Sequence, residues 1–196
     1  MRVICCYSSS VKPQTEQALS LYAPDTEYVE TKGLFGYGEA IRDRWTGESD
    51  LVVIEADKEI NAETLPSFEA CNKLWCTTKC KTMPEPHTRT TINSLACAKF
   101  SAEIQRIVKP SEFICRDPFW APCRRCESQG CWNQLDTRIA IAITPHANGM
   151  PHVHGEVKHH HVYDDAWWHE WTLDYDYISD VNARMMEITS VEELIR

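Results

Sequence analysis

The sequence has no run of about 18 apolar residues, which excludes a helical membrane span. It is also short of positive charge. Twenty Lys and Arg stand against 29 Asp and Glu, a formal net charge of −9. Affinity for duplex DNA comes largely from Lys and Arg neutralising phosphates, so duplex DNA is not expected as the main partner. A local basic patch around Arg124 and Arg125 is compatible with that balance. The opening MRVICCYSSS breaks into serines after too short an apolar stretch for a signal peptide, and a cytoplasmic protein is expected. Ten cysteines in 196 residues fall below the roughly 8–10% that marks a disulfide scaffold. In a reducing compartment they are expected to be reduced, buried or metal-bound. There is no internal repeat and no low-complexity linker.

What is present is globular. The hydrophobic fraction is 43% and the charged fraction 25%. A chain of 196 residues is one ordinary domain and buries roughly 70% of its unfolded surface without needing disulfides. Seven Trp are many, and Trp132, Trp167, Trp168 and Trp171 fall in the last third.

The first sixty residues alternate in kind. VICCY (Val3–Tyr7) reads as a strand, PQTEQALSLY (Pro13–Tyr22) as a helix opened by Pro, and EYVE (Glu27–Glu30) as a second strand. A Gly-rich turn and a helix over Glu39–Trp45 follow, and LVVI (Leu51–Ile54) is the clearest strand. This order predicts an α/β fold with a mostly parallel central sheet and flanking helices. Helical spacing is read over Leu65–Lys79 and Ile92–Val108, an irregular loop over Cys115–Cys131, helix or strand over Leu135–Ile143, and a strand over His152–Tyr163. A terminal helix is read from Val191.

The informative stretch is LVVIEADKEI, where an apolar strand runs into Glu55 and Asp57. In open parallel sheets ligands bind beyond the carboxyl ends of strands. In extended geometry residues i and i+2 point to one side, so both carboxylates reach one cation. Hard oxygen donors suit Mg²⁺ or Mn²⁺, which keep substrate phosphate oxygens in their shell and act as Lewis acids on a departing diphosphate. The competing reading is a solvated pair opening a loop.

His152, His154, His159, His160 and His161 crowd ten residues. An unbroken strand would put His152, His154 and His160 on one face and His159 and His161 on the other. An H-x-H pair on a strand chelates metal. His154 and then His161 are the candidate ligands, the rest being plain polar residues. Cys115, Cys123, Cys126 and Cys131 have a spacing that can close a structural Zn²⁺ site. Cys71, Cys76 and Cys80 are read as buried cysteines.

GYGEAIRDRWTGESDLVVIEADKEI resembles the core of the GT-A glycosyltransferases, small phage-encoded members included. VICCYSSS resembles their opening strand and nucleotide-binding loop, CWNQLD their later acidic segment, and HVHGEVKHHH a late strand that returns a His to the metal. The E-x-D at Glu55 and Asp57 stands where the family carries D-x-D, with equivalent ligand chemistry. The resemblance implies a single GT-A-like domain over residues 1–196 with a Rossmann-like nucleotide-binding half. Residues 1–62 would be its nucleotide-binding half, 63–131 a helical and Cys-rich segment, and 132–196 the acceptor side. It implies a nucleotide-sugar donor held with Mn²⁺ or Mg²⁺ at Glu55 and Asp57, an acceptor of unknown kind, and, for a phage protein, the host cytoplasm. Ser8, Ser9, Ser10, Gly36 and Gly38 would shape the nucleotide pocket, and Arg42 would meet a phosphate or the sugar. Asp136 would deprotonate the acceptor, its alternative role being a helix N-cap. Two rival functions remain. One is a non-catalytic, zinc-stabilised module binding protein or nucleic acid through the Cys loop and Trp-rich tail. The other is a metal hydrolase built on His152, His154 and Glu156.

Overall fold

The structure, a computed structural model, describes residues 1–32, 36–81, 90–91, 95–114, 132–147, 149 and 151–160, all within one compact unit, Met1–His160. The strands are β1 (Arg2–Tyr7), β2 (Glu27–Glu30), β3 (Leu51–Glu55), β4 (Lys58–Glu59), β5 (Trp75–Lys81), β6 (Thr90–Thr91), β7 (Cys97–Phe100) and β8 (His152–His159). The helices are α1 (Pro13–Tyr22), α2 (Gly36–Arg42), α3 (Thr64–Ala70), α4 (Ala102–Ile107) and α5 (Trp132–Ala147). The hydrogen-bonded strand order is β2-β1-β3-β7-β5-β8-β4, with β6 on β5.

Alternate residues of the strands feed two cores, because helices cover both faces. Cys5, Val52, Ile54, Cys76, Cys80, Cys97 and Val157 share one buried cluster with Ala18 and Leu19 of α1 and Phe68 of α3. On the other side Trp45 meets Phe100 and Phe113 at centroid distances of 5.1 and 5.0 Å and donates from Nε1 to the Val108 carbonyl at 2.8 Å. Gly38 lies against Ile114 and Leu135, where a Cβ would find ordinary contact distances from 3.6 Å. Ser101 caps α4 by accepting from the Ile104 amide at 3.1 Å.

The N-terminal elements lie where the sequence predicts them, and three expectations are corrected. The sheet is mixed, not mostly parallel. β1 runs parallel to β2 and β3, and β8 runs parallel to β5. However, β7 is antiparallel to both β3 and β5, and β4 is antiparallel to β8. The strand–helix–strand crossovers that give parallel neighbours hold only through β3, and β7 and β4 meet their antiparallel partners from distant parts of the chain. The helical spacing read over Leu65–Lys79 belongs to α3 followed by β5, and that over Ile92–Val108 to β7 followed by α4. Gly36 and Gly38 of the Gly-rich turn lie instead in α2, which begins at Gly36 and ends at Arg42, while Gly33 is outside the described residues. Leu135–Ile143 resolves as helix, within α5. Cys115, Cys123, Cys126, Cys131, His161, the Trp-rich tail and the helix read from Val191 lie outside the described residues.

Candidate functional site

β3 delivers Glu55 to the carboxyl edge of the sheet, and a two-residue turn, Ala56–Asp57, leads into β4. That turn is pinned on both sides. The Lys12 amide donates to the Ala56 carbonyl and the His160 amide to the Asp57 carbonyl, both at 2.8 Å. The Glu55 amide donates to the Ala96 carbonyl at 3.0 Å. With the backbone fixed, the two carboxylates converge on one positive charge. It is the ammonium of Lys58, 2.9 Å from Glu55 Oε2 and also paired with Asp57 Oδ1. The Lys58 side chain is only 4% exposed. His159, directly across β8 from Lys58, places Nε2 2.9 Å from the other Asp57 oxygen, Oδ2. His160 Nε2 meets Glu59 Oε2 at 2.6 Å.

The electrostatics follow from burial and charge. Burial opposes ionisation of Asp57, but the His159 hydrogen bond and the Lys58 charge outweigh it and hold the carboxyl well below its ordinary range. Burial likewise opposes the Lys58 ammonium, and the Glu55 and Asp57 charges overcome it, raising its pKa. Asp136 on α5 behaves oppositely. Burial and the Glu55 charge push it up to about 7, against hydrogen bonds from its own amide and that of Leu95. Tyr37 on α2 titrates well above its usual value because of burial and the charges of Glu55, Cys6 and Asp136. Its buried hydroxyl has no hydrogen-bond partner among the described residues. Cys5 and Cys80, buried near the same acids, are each pushed up to about 12 and stay thiols.

The fit to a divalent cation is therefore specific. The carboxylates of Glu55 and Asp57 do reach one point, but Lys58 already fills it. Both Asp57 oxygens are engaged, one by Lys58 and one by His159. Mn²⁺ or Mg²⁺ would have to exchange with the Lys58 ammonium.

Other candidates are placed as follows. Ser8, Ser9 and Ser10 are exposed just beyond β1, at the same edge of the sheet as Glu55, its neighbour through the Cys6–Glu55 register. Gly36 and Gly38 are buried within α2 and serve close packing. A Cβ on Gly36 would lie 3.0 Å from the Thr31 backbone. Arg42 is exposed and paired with Asp43 at 2.8 Å. Asp136 stands within α5 rather than before it, so its expected capping alternative does not hold.

The histidine faces are also corrected. In β8 the register slips between Thr78 and Lys79, so that Gly155, at φ 37°, is an extra residue opposite β5. The bulge resets the alternation, so His159 no longer opposes His154. His154 packs edge-on against Phe68, and Val157 joins the cluster that contains Phe68. His152 and His154 meet nitrogen to nitrogen at 3.1 Å, and Cys71 Sγ lies 3.2 Å from His152 Nδ1. Sequence reasoning missed Lys58, His159 and Tyr37 as site residues, and Cys71 as a neighbour of the H-x-H pair. Lys58 stands next to Asp57 in the quoted stretch, so adjacency was the available signal; nothing local marks Cys71.

No protein-family model matches this chain, and no curated protein does so. Among solved structures it is similar to a glycosyltransferase involved in the glycosylation of the major capsid of PBCV-1, at 13% identity and TM-score 0.43, over 79% of this chain and 81% of that one. It is also similar to A197 from STIV, at 13% identity and TM-score 0.42, over 59% of this chain and 72% of that one. Neither likeness bears on chemistry. Among the described residues no helix is long and apolar enough to cross a membrane.

Proposed function

We propose that this chain is a glycosyltransferase-like protein that binds a nucleotide sugar at the carboxyl ends of β1 and β3 and transfers the sugar to an acceptor hydroxyl. The observation that carries this reading is the convergence of Glu55 and Asp57 on one positive charge, with Asp136 close enough to Glu55 to feel its charge. A general base works best with a pKa near the operating pH, and Asp136 at about 7 meets that condition. Tyr37 adds a buried hydroxyl without a hydrogen-bond partner among the described residues, which a sugar or phosphate oxygen reaching it would satisfy. The exposed serines 8–10 would border the nucleotide.

In the reaction Asp136 takes the proton of the acceptor hydroxyl, whose oxygen bonds to the anomeric carbon. The bond from that carbon to the diphosphate breaks, and the diphosphate leaves with the electron pair. Glu55 and Asp57 would hold Mn²⁺ or Mg²⁺, which when bound supplies Lewis-acid neutralisation of the leaving diphosphate. Lys58, beside the same carboxylates, would offer a further cation for the phosphates.

The test is thermal unfolding with a panel of nucleotide sugars and nucleoside diphosphates, with Mn²⁺ or with chelator. A ligand at about 100 times its Kd adds roughly 2.7 kcal/mol, several degrees of Tm. A shift that vanishes in Asp57→Ala is the expected result. No shift with any nucleotide, with or without metal, overturns the reading.

A further inference from the structure

Away from the acid pair, where the C-terminal end of α3 meets the first residues of β8, three donors of different kind converge. Cys71 follows the last residue of α3, and His152 and His154 lie on β8. Cys71 Sγ, His152 Nδ1 and His154 Nε2 all lie within 4.8 Å of one another. We propose that Cys71, His152 and His154 form a zinc site with three protein ligands and a fourth position open to solvent or an exogenous ligand. This proposal does not rest on the nucleotide-sugar reading, since it shares no residue with Glu55, Asp57 or Asp136.

Two of the three spacings between donor atoms are close to those of a tetrahedral ion, and the third, Cys71 Sγ to His154 Nε2, lies within 4.8 Å. With Zn–N of about 2.0–2.1 Å and Zn–S of about 2.3 Å, adjacent ligand atoms stand roughly 3.3–3.5 Å apart. The 3.1 Å between the imidazole nitrogens and the 3.2 Å from sulfur to His152 need only a few tenths of an ångström of opening. The rings cross at 80°, so their nitrogens approach without the rings stacking. A thiolate with two imidazoles is a borderline-soft set that selects zinc over Mg²⁺ or Mn²⁺.

The surroundings hold the ligands in place, as a metal centre requires. Phe68 supports His154 edge-on at 5.6 Å. Cys76, fully buried and level with His152 in the β5–β8 register, is hydrogen-bonded to Cys71. Lys99, 2% exposed, donates at 2.7 Å to the carbonyls of both Phe68 and Cys71, fixing the end of α3. Asp50, 3.4 Å from the same ammonium, tempers its repulsion of a cation. His152 is exposed and gives the ion a way in.

Cobalt replaces zinc in such sites and reports a thiolate ligand by a charge-transfer band in the near ultraviolet. The experiment titrates Co²⁺ into the full chain and into Cys71→Ser, His152→Ala and His154→Ala, with bound zinc counted in each. Because Cys115, Cys123, Cys126 and Cys131 also offer thiolates, the titration is repeated with all four changed to Ser. The proposal requires the band to survive in that background and to vanish in Cys71→Ser, with bound zinc falling by one equivalent. His152→Ala, a change at an exposed residue, must weaken Co²⁺ at least tenfold. If the four-serine protein does not fold, the zinc count and the His152→Ala affinity decide alone. An unchanged band and zinc count in Cys71→Ser, or unaltered affinity in His152→Ala, overturns the site.

Discussion

His159 and Asp57 stand 102 residues apart in sequence and 2.9 Å apart in space, Nε2 against Oδ2. The contact joins the turn after β3 to the end of β8, and it leaves Asp57 with a cationic or hydrogen-bonding partner on each oxygen. Breaking a buried ionic arrangement by removing one member commonly costs about 3 kcal/mol or more. Asp57→Asn is therefore expected to lose about 3 kcal/mol at pH 7, measured by urea unfolding of metal-free protein. The native Asp57 carboxyl titrates well below its ordinary 3.8, so its contribution is present above about pH 4 and lost as pH falls further. The gap between wild type and variant should close in acid.

Asp136 has the opposite sign. Its native carboxyl is raised from 3.8 to about 7, so the protonated form stabilises the fold at low pH and that contribution is lost as pH rises from about 4 to 7. Asp136→Asn should be neutral at pH 4 and more stable than wild type by about 2 kcal/mol at pH 8, allowing for the residue's partial exposure. Under the proposed function the same variant keeps donor binding and loses transfer. A variant equally stable relative to wild type at both pH values would show that Asp136 is not desolvated.

Lys58→Met separates two roles of one cation. It leaves Glu55 and Asp57 facing each other without the ammonium, and the metal-free protein should lose about 3 kcal/mol. Mn²⁺ then meets no competitor, and its affinity should rise by about tenfold or more, which takes only about 1.4 kcal/mol. Calorimetric titration of Mn²⁺ reads this directly. Unchanged or weaker binding would show that the ion does not use these carboxylates.

Gly155→Ala tests the bulge. Nothing stands within 4 Å of a Cβ there, so any cost is conformational, from holding an alanine at φ 37°. That cost is about 1–2 kcal/mol. A fall of that size in stability, with His159 NMR shifts altered, is expected. A silent substitution would mean that the bulge relaxes freely.

How much of this was legible depended on whether the signal was local. α1 and β2 have the bounds read from the sequence, because Pro13 and the flanking loops punctuate them. β5 was not legible, because the apolar spacing of CNKLWCTTKC suits a helix, although Thr77 and Thr78 favour a strand. β7 defeats pattern reading for another reason. Its four residues are all buried, one of them Lys99, whose charge is met by carbonyls from α3 that no local window contains. At the site, Glu55 and Asp57 were legible from the strand end, but the partners on Asp57 were not. Adjacent Lys58 looks like a solvent residue, and His159 lies 102 residues away, brought beside Asp57 by the β4–β8 pairing.

Among the described residues the two-residue strand β4 pairs only with β8. Its ladder hydrogen bonds, and the one that the His160 amide donates to the Asp57 carbonyl, wait on residues 158–160. A chain emerging from the ribosome has therefore made Asp57 102 residues before its partner His159. Contacts of such sequence separation form late and open early. The amide of His160, bonded to the Asp57 carbonyl, is thus a reporter for the site: its hydrogen-exchange rate measures how often the acid pair comes apart while the rest of the sheet stays intact.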